Sequence, residues 1–206
     1  MTSEKALLIT LAAPNPDEQA AAGQYGRESG TLTSQYGANV ITRLAITEKI
    51  HGDGPAALLG IAEFPSADSI RALFSSDEYK KLIPVRDKAM RSVNLYISQP
   101  DQSVENVGGL GKSLLITMAA PNPDEKDALG QYQQGAGPLA GKYGAKPLAN
   151  VGIAEQIHGD SPAAFVSIAE FPDDDSVKGF FNDEDYQKLI PVRDRALRAI
   201  NLYLAS

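Results

Sequence analysis

The chain of 206 residues contains no cysteine and no tryptophan. The absence of cysteine excludes disulfide bonds, thiolate nucleophiles, cysteine-ligated zinc and iron–sulfur clusters. The sequence also lacks an apolar run of about 18 residues and begins without the basic and then apolar pattern of a secretion signal. These absences predict a soluble, cytoplasmic protein with no membrane partner.

Positive charge is the scarcer kind, with Lys+Arg 19 against Asp+Glu 26 and a formal net charge of -7. An acidic chain without a cluster of lysine and arginine repels nucleic-acid phosphates, so we expect no nucleic-acid partner. The composition, 43% hydrophobic and 22% charged, is typical of a folded protein rather than a disordered one. The length allows one or two domains.

The sequence repeats itself at a constant offset of 107 residues, as from Ile50-His-Gly-Asp53 to Ile157-His-Gly-Asp160. Two copies are too few to build a solenoid, so each copy is predicted to be a small domain that pairs with its twin. The segment between the copies is polar and rich in glycine, as linkers are. The chain is therefore divided into a first repeat, a linker and a second repeat, at residues 1–98, 99–111 and 112–206.

Each repeat is predicted to have the element order βαββαβ, which is a ferredoxin-like unit of the α+β class. Alternation and turn residues predict first-repeat strands at 6–12, 40–50, 56–64 and 93–97, with a hairpin turn at 51–55. A helix is predicted at 17–36, and Pro84 is placed in the first turn of the last helix. Breaks in the long helices are expected at Gly30 and, in the second repeat, at Gly135, Gly137 and Pro138.

Five short motifs occur in a fixed order, namely Tyr36-Gly-Ala, Arg43, Glu63-Phe-Pro-Ser66, Ser76-Asp-Glu-Tyr79 and Leu82-Ile-Pro-Val-Arg86. With them, both repeats resemble the domain of unknown function 1330 family. The resemblance implies a dimeric α/β barrel, in which two ferredoxin-like units pack sheet against sheet. In this chain the two units would be fused into an intramolecular pseudo-dimer, and further association of whole chains into a homodimer is left open. The wider superfamily includes cofactor-free isomerases and oxygenases, haem enzymes and non-catalytic binders, so the fold alone selects no function.

Two glutamates in each repeat are candidate catalytic bases. Strand alternation places Glu48 and Glu63 on an apolar face that we expect to meet the helices, and they recur as Glu155 and Glu170. Desolvation there would raise a carboxyl pKa and permit proton transfer. The alternative is a structural glutamate at a sheet end, bonded to Arg86, Tyr79 or backbone amides. A simple hairpin would put Glu48 opposite Leu59, about 13 Å from Glu63 along the strands, which is too far for a glycosidase pair.

His51 and His158 are the only histidines, and each precedes a Gly-Asp turn. An imidazole in this place could transfer protons near neutral pH, or it could bond nearby backbone in the turn. One histidine in each repeat cannot supply a local zinc site with two or three histidines, so no metal is predicted. The sequence also has no Gly-x-Gly-x-x-Gly or Gly-x4-Gly-Lys motif, and we expect no cofactor.

Arginine and tyrosine side chains are the candidate ligand contacts. Alternation assigns Arg43 to the opposite face of the sheet, where a buried guanidinium needs an anionic partner and a guanidinium at the rim would reach solvent. Asn150 stands at this position in the second repeat, so the first repeat is expected to bind anions better. The tyrosines could line a helix–sheet cleft or simply fill the core. The ligand-binding candidates are Tyr25, Tyr36, Arg43, Tyr79, Arg86, Tyr132, Tyr143, Tyr186 and Arg193.

Three functions are compatible with these patterns. The first is binding of a small aromatic or carboxylated molecule in the helix–sheet clefts. The second is a cofactor-independent isomerase, lyase or oxygenase, in which Glu48, Glu63 or His51 moves protons and Arg43 holds an oxyanion. The third is a structural fused dimer without a ligand. A deep cleft where tyrosine, arginine and a desolvated carboxylate converge would favour the first two, and a filled interior the third.

Overall fold

The computed structural model describes residues 4–107 and 113–206. These residues form two compact units, and each unit contains a segment of the other repeat. The first unit comprises the residues up to Ala45, Gly54–Asn106 and Val151–Asp160, and the second comprises Ile46–Asp53, the described part of 107–150 and Ser161–Ser206. Of the predicted linker, residues 108–111 lie outside the described residues. The domain boundaries proposed from the sequence stay a prediction.

Each repeat has the predicted ferredoxin-like order of elements. The first repeat contains β1 (Ala6–Pro14), α1 (Gln19–Gln35), β2 (Asn39–His51), β3 (Leu58–Phe64), α2 (Ala67–Ser75), α3 (Asp77–Ala89) and β4 (Met90–Ser98). The second contains β5 (Ser113–Pro121), α4 (Lys126–Lys142), β6 (Lys146–His158), β7 (Phe165–Phe171), α5 (Asp174–Asn182), α6 (Glu184–Ala196) and β8 (Leu197–Ala205). Throughout the described ranges, every helix is too short or too polar to cross a membrane.

Short polar side chains and a glycine determine where the helices begin and end. The Ser66 hydroxyl caps α2 by accepting from the backbone N–H of Ser69, and the Ser76 hydroxyl caps α3 by accepting from that of Tyr79. Ser76 also ends α2, so the second helical region of the repeat is divided in two at this residue. After α1 the chain turns at Gly37, whose φ of 82° is a left-handed conformation that glycine adopts without strain.

The long helices do not break where glycine and proline predicted a break. α1 continues through Gly30, and α4 continues through Gly135, Gly137 and Pro138. Pro84 likewise lies in the middle of α3 rather than in its first turn. Each such residue disfavours a helix by about 1 kcal/mol for glycine and about 3 kcal/mol for proline. Packing of the helices against their neighbours outweighs this local preference.

The second strand of each repeat is shared between the units. In the first unit β2 pairs with β3 only as far as Ala45, and the rest of β2 pairs with β8 in the second unit. The end of β6 pairs with β4 in the first unit in the same way. β2 and β3 do pair antiparallel, but the predicted register is wrong, because Leu59 lies opposite Leu44 and Glu48 lies opposite Leu204. The cause is strand length, since β2 has 13 residues and β3 only 7.

The helices of the first unit pack on the face of the sheet opposite to the one that alternation suggested. Leu58, Ala62 and Phe64 are the β3 residues that join the helical side chains in one core cluster. Leu59 and Ile61, which were expected there, are almost fully buried on the other face. When both faces of a strand are apolar, alternation sorts residues into two sets but does not tell which set meets the helices.

A bulge in β2 changes the relation between Val40 and the residues that follow it. The register with β3 shifts between Val40 and Thr42, so residues on either side of the bulge no longer alternate as the sequence predicts. Val40 and Arg43 consequently both lie on the helix side. Thr42 and Leu44 lie on the opposite face, and both are buried.

We expect Thr42→Val to raise the free energy of unfolding by about 1 kcal/mol, because a buried hydroxyl without a partner disfavours folding. Thr42 is 3% exposed, and its hydroxyl has no hydrogen-bond partner within the described residues. Chemical denaturation measures the difference. Thr42→Ser keeps the hydroxyl and is the matched control, which should gain nothing. A loss of stability in Thr42→Val would contradict the prediction.

Candidate functional site

A cavity of about 290 Å³ lies between the sheet and the helices of the first unit. The sheet contributes residues such as Leu8 and Gly60, and the helices contribute Gly30, Phe74 and Tyr79. Almost all of the lining side chains are apolar or small. The volume is at the lower end of the range of about 300 to 1,000 Å³ that is usual for small-molecule sites.

Glycines create much of this space. Gly26 and Gly30 of α1 line the cavity, and a Cβ atom added to either would meet nothing within 4 Å. Gly60 on β3 lines it from the sheet side, and a Cβ atom there would come no closer than 3.9 Å to another atom. Alanine would therefore fit at the two helical positions and would stabilise the helix by about 0.5–1 kcal/mol at each. The first unit thus has open space at two positions where an alanine side chain would fit and would make the helix more stable.

Two tyrosines supply the polar groups deep in the cavity. The hydroxyls of Tyr25 and Tyr79 are 3.3 Å apart, and the Arg86 guanidinium donates to the Tyr79 hydroxyl at 3.5 Å. All three side chains are at least nine-tenths buried. Desolvation by burial, followed by the neighbouring Tyr79, raises the pKa of Tyr25 well above its usual range, so its hydroxyl stays protonated.

One of the two hydroxyl protons of this tyrosine pair has no acceptor among the described residues. Tyr25 and Tyr79 carry two hydroxyl protons, and the bond between the hydroxyls uses one of them, whichever tyrosine donates. Arg86 is a donor only and accepts neither proton. Within the described residues neither hydroxyl has a further partner, so one proton is left for an acceptor.

Arg43 lines the cavity together with Tyr25 and Tyr79. The expectation that it faces away from the helices was wrong, because the helices pack on the face of the sheet that carries Ala62 and, with it, Arg43. Arg43 lies opposite Gly60 in the pairing of β2 with β3. Its side chain is exposed, so it belongs to the mouth of the cavity rather than to its interior.

The histidines lie behind the tyrosine pairs. In the second unit His51 Nε2 is 3.5 Å from Arg193 Nη2, and Arg193 Nη1 in turn donates to the Tyr186 hydroxyl at 3.5 Å. In the first unit the charge of Arg86 acts on His158. Desolvation, and then the positive charge of the arginine, lowers the pKa of each histidine. Each histidine reaches its arginine because the end of the second strand crosses into the other unit.

The second unit repeats this polar arrangement but surrounds it with larger side chains. The hydroxyls of Tyr132 and Tyr186 are 3.4 Å apart, and burial raises the pKa of Tyr132 as it does that of Tyr25. Leu58 and Gly60, which line the cavity of the first unit, are replaced by the bulkier Phe165 and Ser167. The core residue Leu73 is replaced by Phe180.

The glutamates predicted as bases do not line the cavity. Glu63 forms an ion pair with Lys5 at 2.7 Å, and Glu155 forms one with Arg71 at 2.8 Å. Glu48 is exposed and lies 3.9 Å from Lys178 in the second unit, whereas Glu170 is half-buried in β7. In the part of the chain that the structure describes, no group of three or more acidic or histidine side chains could hold a metal ion.

The other two predicted tyrosines have structural surroundings. Tyr36 follows α1 and packs against the core of the first unit. In the second unit Tyr143 donates to the Asp183 carboxylate at 2.7 Å. That bond, together with the backbone N–H of Asp185 and the ammonium of Lys142, lowers the pKa of Asp183 to about 2. This cluster connects the end of α4 to the residue that caps α6.

The glycines that shape the cavity were not predicted from the sequence. Gly26 and Gly60 were treated as a helix residue and a small strand residue, yet both become larger in the second repeat, as Gln133 and Ser167. Comparison of the two repeats at positions where one has glycine could have found them. Of the predicted ligand contacts, Tyr25, Arg43 and Tyr79 do come together at the cavity, with Arg86 directly behind Tyr79.

Solved structures with similar folds cover the whole chain. An anthrone oxidase-like protein matches 99% of this chain and 92% of its own, with a TM-score of 0.61 and 12% sequence identity. A mutant chlorite dismutase from Candidatus Nitrospira defluvii matches 100% and 93%, with a TM-score of 0.56 and 11% identity. At such low identity the similarity shows the fold alone. The predicted fold class, α+β with two ferredoxin-like units of the dimeric α/β barrel type, is confirmed.

Sequence comparison gives a more specific result. A search of curated proteins finds no match. The family model described as Domain of unknown function (DUF1330) matches the chain twice, at residues 5–99 and 115–205. The two matches cover most of the sequence and confirm both the duplication and the resemblance seen in its motifs. The chain is thus a member of the DUF1330 family that carries two copies of the family's domain in tandem.

Proposed function

We propose that the first unit binds a small aromatic molecule that carries a hydrogen-bond-accepting oxygen. The cavity between the helices and the sheet is the observation that carries this proposal. It is apolar along most of its lining and has a tyrosine pair with one hydroxyl proton to donate. Such a combination, an apolar pocket with a few polar groups that fix orientation, is typical of small-molecule sites.

The volume limits the size of the ligand. A dry cavity of about 150 Å³ lined by aliphatic and aromatic side chains is enough to bind benzene. The cavity here, at about 290 Å³, is nearly twice that size. A ligand with two fused rings therefore matches the space. The aromatic side chain of Phe74 and the rings of Tyr25 and Tyr79 offer edges and faces for such rings.

The polar groups favour a carbonyl or carboxylate oxygen on the ligand. Because the pKa of Tyr25 is raised by burial, its hydroxyl remains a donor at neutral pH rather than becoming a phenolate base. The described residues that line the cavity include no carboxylate and no histidine. We therefore propose a binding function and not the alternative in which Glu48, Glu63 or His51 transfers a proton.

Binding of 2-acetylnaphthalene and of 2-ethylnaphthalene tests the proposal. The two probes share the ring system, but only the first carries an acceptor oxygen. We expect the ketone to bind more tightly by about three- to tenfold, which corresponds to one hydrogen bond. Titration calorimetry or ligand fluorescence measures both affinities. In Tyr25→Phe/Tyr79→Phe the advantage of the ketone should disappear while the hydrocarbon still binds.

The hydrocarbon serves as an internal control for folding, because its binding needs only the apolar part of the cavity. If the wild type binds neither probe, the cavity is not a site for bicyclic aromatic molecules and the proposal is wrong. If the ketone keeps its advantage in the double variant, the tyrosine pair is not the donor.

A further inference from the structure

The charge at the cavity is opposite to that of the chain. The chain carries Asp+Glu 26 against Lys+Arg 19, yet none of the described residues that line the cavity is acidic. Arg43 is the one charged side chain among them. A ligand that enters the cavity consequently passes a cation and meets no carboxylate at the lining.

Arg43 also has no carboxylate partner within the described residues, unlike Arg71 and Arg91 of the same unit. Arg71 is paired with Asp68 and Glu155, and Arg91 is paired with Asp17. Within residues 4–107 and 113–206, no ion pair or hydrogen bond engages the guanidinium of Arg43. Its five N–H donors are therefore available to a ligand.

Two local features determine that Arg43 faces the helices and stays uncovered. The helices pack on the face of the sheet that carries Ala62 and, with it, Arg43. The strand partner of Arg43, Gly60, has no side chain that would cover it. Val40, beside it on the cavity lining, is 50% exposed. The mouth of the cavity thus combines an apolar surface with an unpaired cation.

Building on the proposed function, we propose that Arg43 forms an anion subsite and that the ligand is an aromatic carboxylate. The acceptor oxygen of the proposed function reaches the tyrosine pair inside the cavity, and a carboxylate at the opposite end of the ring system reaches the guanidinium at the mouth. Arginine suits this role because its planar fork of N–H groups matches the two oxygens of a carboxylate. The second repeat has Asn150 at this position, which carries no charge. The subsite is therefore specific to the first unit.

The test compares 6-acetyl-2-naphthoate, called naphthoate below, with 2-acetylnaphthalene in wild type and Arg43→Asn, because the two probes share the ketone and differ only in the carboxylate. The variant should bind naphthoate about five- to tenfold more weakly, as expected for loss of a solvent-exposed charged hydrogen bond. Its affinity for the uncharged ketone should change less than about twofold, since the ketone makes no ion pair. Raising the salt concentration should weaken naphthoate binding to the wild type and have little effect on the variant.

Arg91→Asn is the matched control. It removes the same charge from the surface of the same unit, but Arg91 is not among the residues that line the cavity. Naphthoate should bind to it as to the wild type. An equal loss of both probes in Arg43→Asn, or an equal loss of naphthoate in the two arginine variants, overturns the anion subsite and leaves the proposed binding of aromatic molecules intact. If the wild type binds neither probe, the proposed function fails and the subsite fails with it.

Discussion

Replacing Gly52 with alanine should lower the free energy of unfolding by about 3 kcal/mol or more, because backbone strain and a steric clash act together. Gly52 has a φ of 102°, which side chains rarely permit. A Cβ atom there would lie 2.7 Å from the carbonyl oxygen of Ile200 and would overlap the Asn201 side chain. The asparagine can move, but the backbone carbonyl belongs to β8 and cannot move without disturbing the strand.

Denaturant titration of Gly52→Ala measures this loss, and Gly159→Ala should behave in the same way. Gly159 has a φ of 100°, and its added Cβ atom would lie 2.7 Å from the carbonyl oxygen of Val93. Gly141→Ala is the control, because Gly141 lies in α4 with nothing within 4 Å of an added Cβ atom. It should be as stable as the wild type or more so. A loss below about 1 kcal/mol in both turn variants would show that the turns relax.

A Leu58→Phe/Gly60→Ser variant should bind 2-acetylnaphthalene at least about tenfold more weakly than the wild type, because the larger side chains fill space that the ligand would occupy. A tenfold loss corresponds to the burial of fewer than two CH₂ groups of the ligand. Both residues line the cavity from β3. The new side chains are those that the second repeat has at these positions, Phe165 and Ser167. A Cβ atom on Gly60 makes only ordinary contacts at 3.9 Å, so the strand should accept it.

Calorimetric titration gives the affinity, and the melting temperature of the variant confirms that it folds. Thr42→Ala is the matched control, since it also replaces a first-repeat residue by its second-repeat counterpart, Ala149. Thr42 lies on the other face of the sheet and does not line the cavity. Unchanged affinity in the cavity variant would mean that the probe binds elsewhere.

The duplication and the element order could be predicted because they rest on identities and on local patterns. The offset from Ile50 to Ile157 needs no structural knowledge. Capping at Ser66 and Ser76 depends on residues a few positions away. The continuous course of α1 through Gly30 could not be predicted, because it depends on packing against other elements.

The sequence suggested residue types for the candidate site but not its geometry. Tyr25 and Tyr79 were expected to line a helix–sheet cleft and do line the cavity. Arg43 lines it too, although alternation had assigned it to the other face of the sheet. Both faces of β3 are apolar, so alternation does not tell which face meets the helices. Nothing in the residues from Val40 to Thr42 marks the bulge either. The crossing of β2 beyond Ala45 is a long-range pairing that a hairpin pattern cannot reveal.

The shared strands also affect when the first unit can finish folding during synthesis on a ribosome. The pairing of β4 in the first unit is complete only when the end of β6, up to His158, has been made. His158 follows Ser98 by roughly 60 residues, and synthesis at about 5–20 residues per second takes roughly 3–12 s over that distance. During this interval the newly made β4 has an unpaired edge, to which a neighbouring nascent chain can bind. Completion of the first unit is therefore timed by translation of the second repeat.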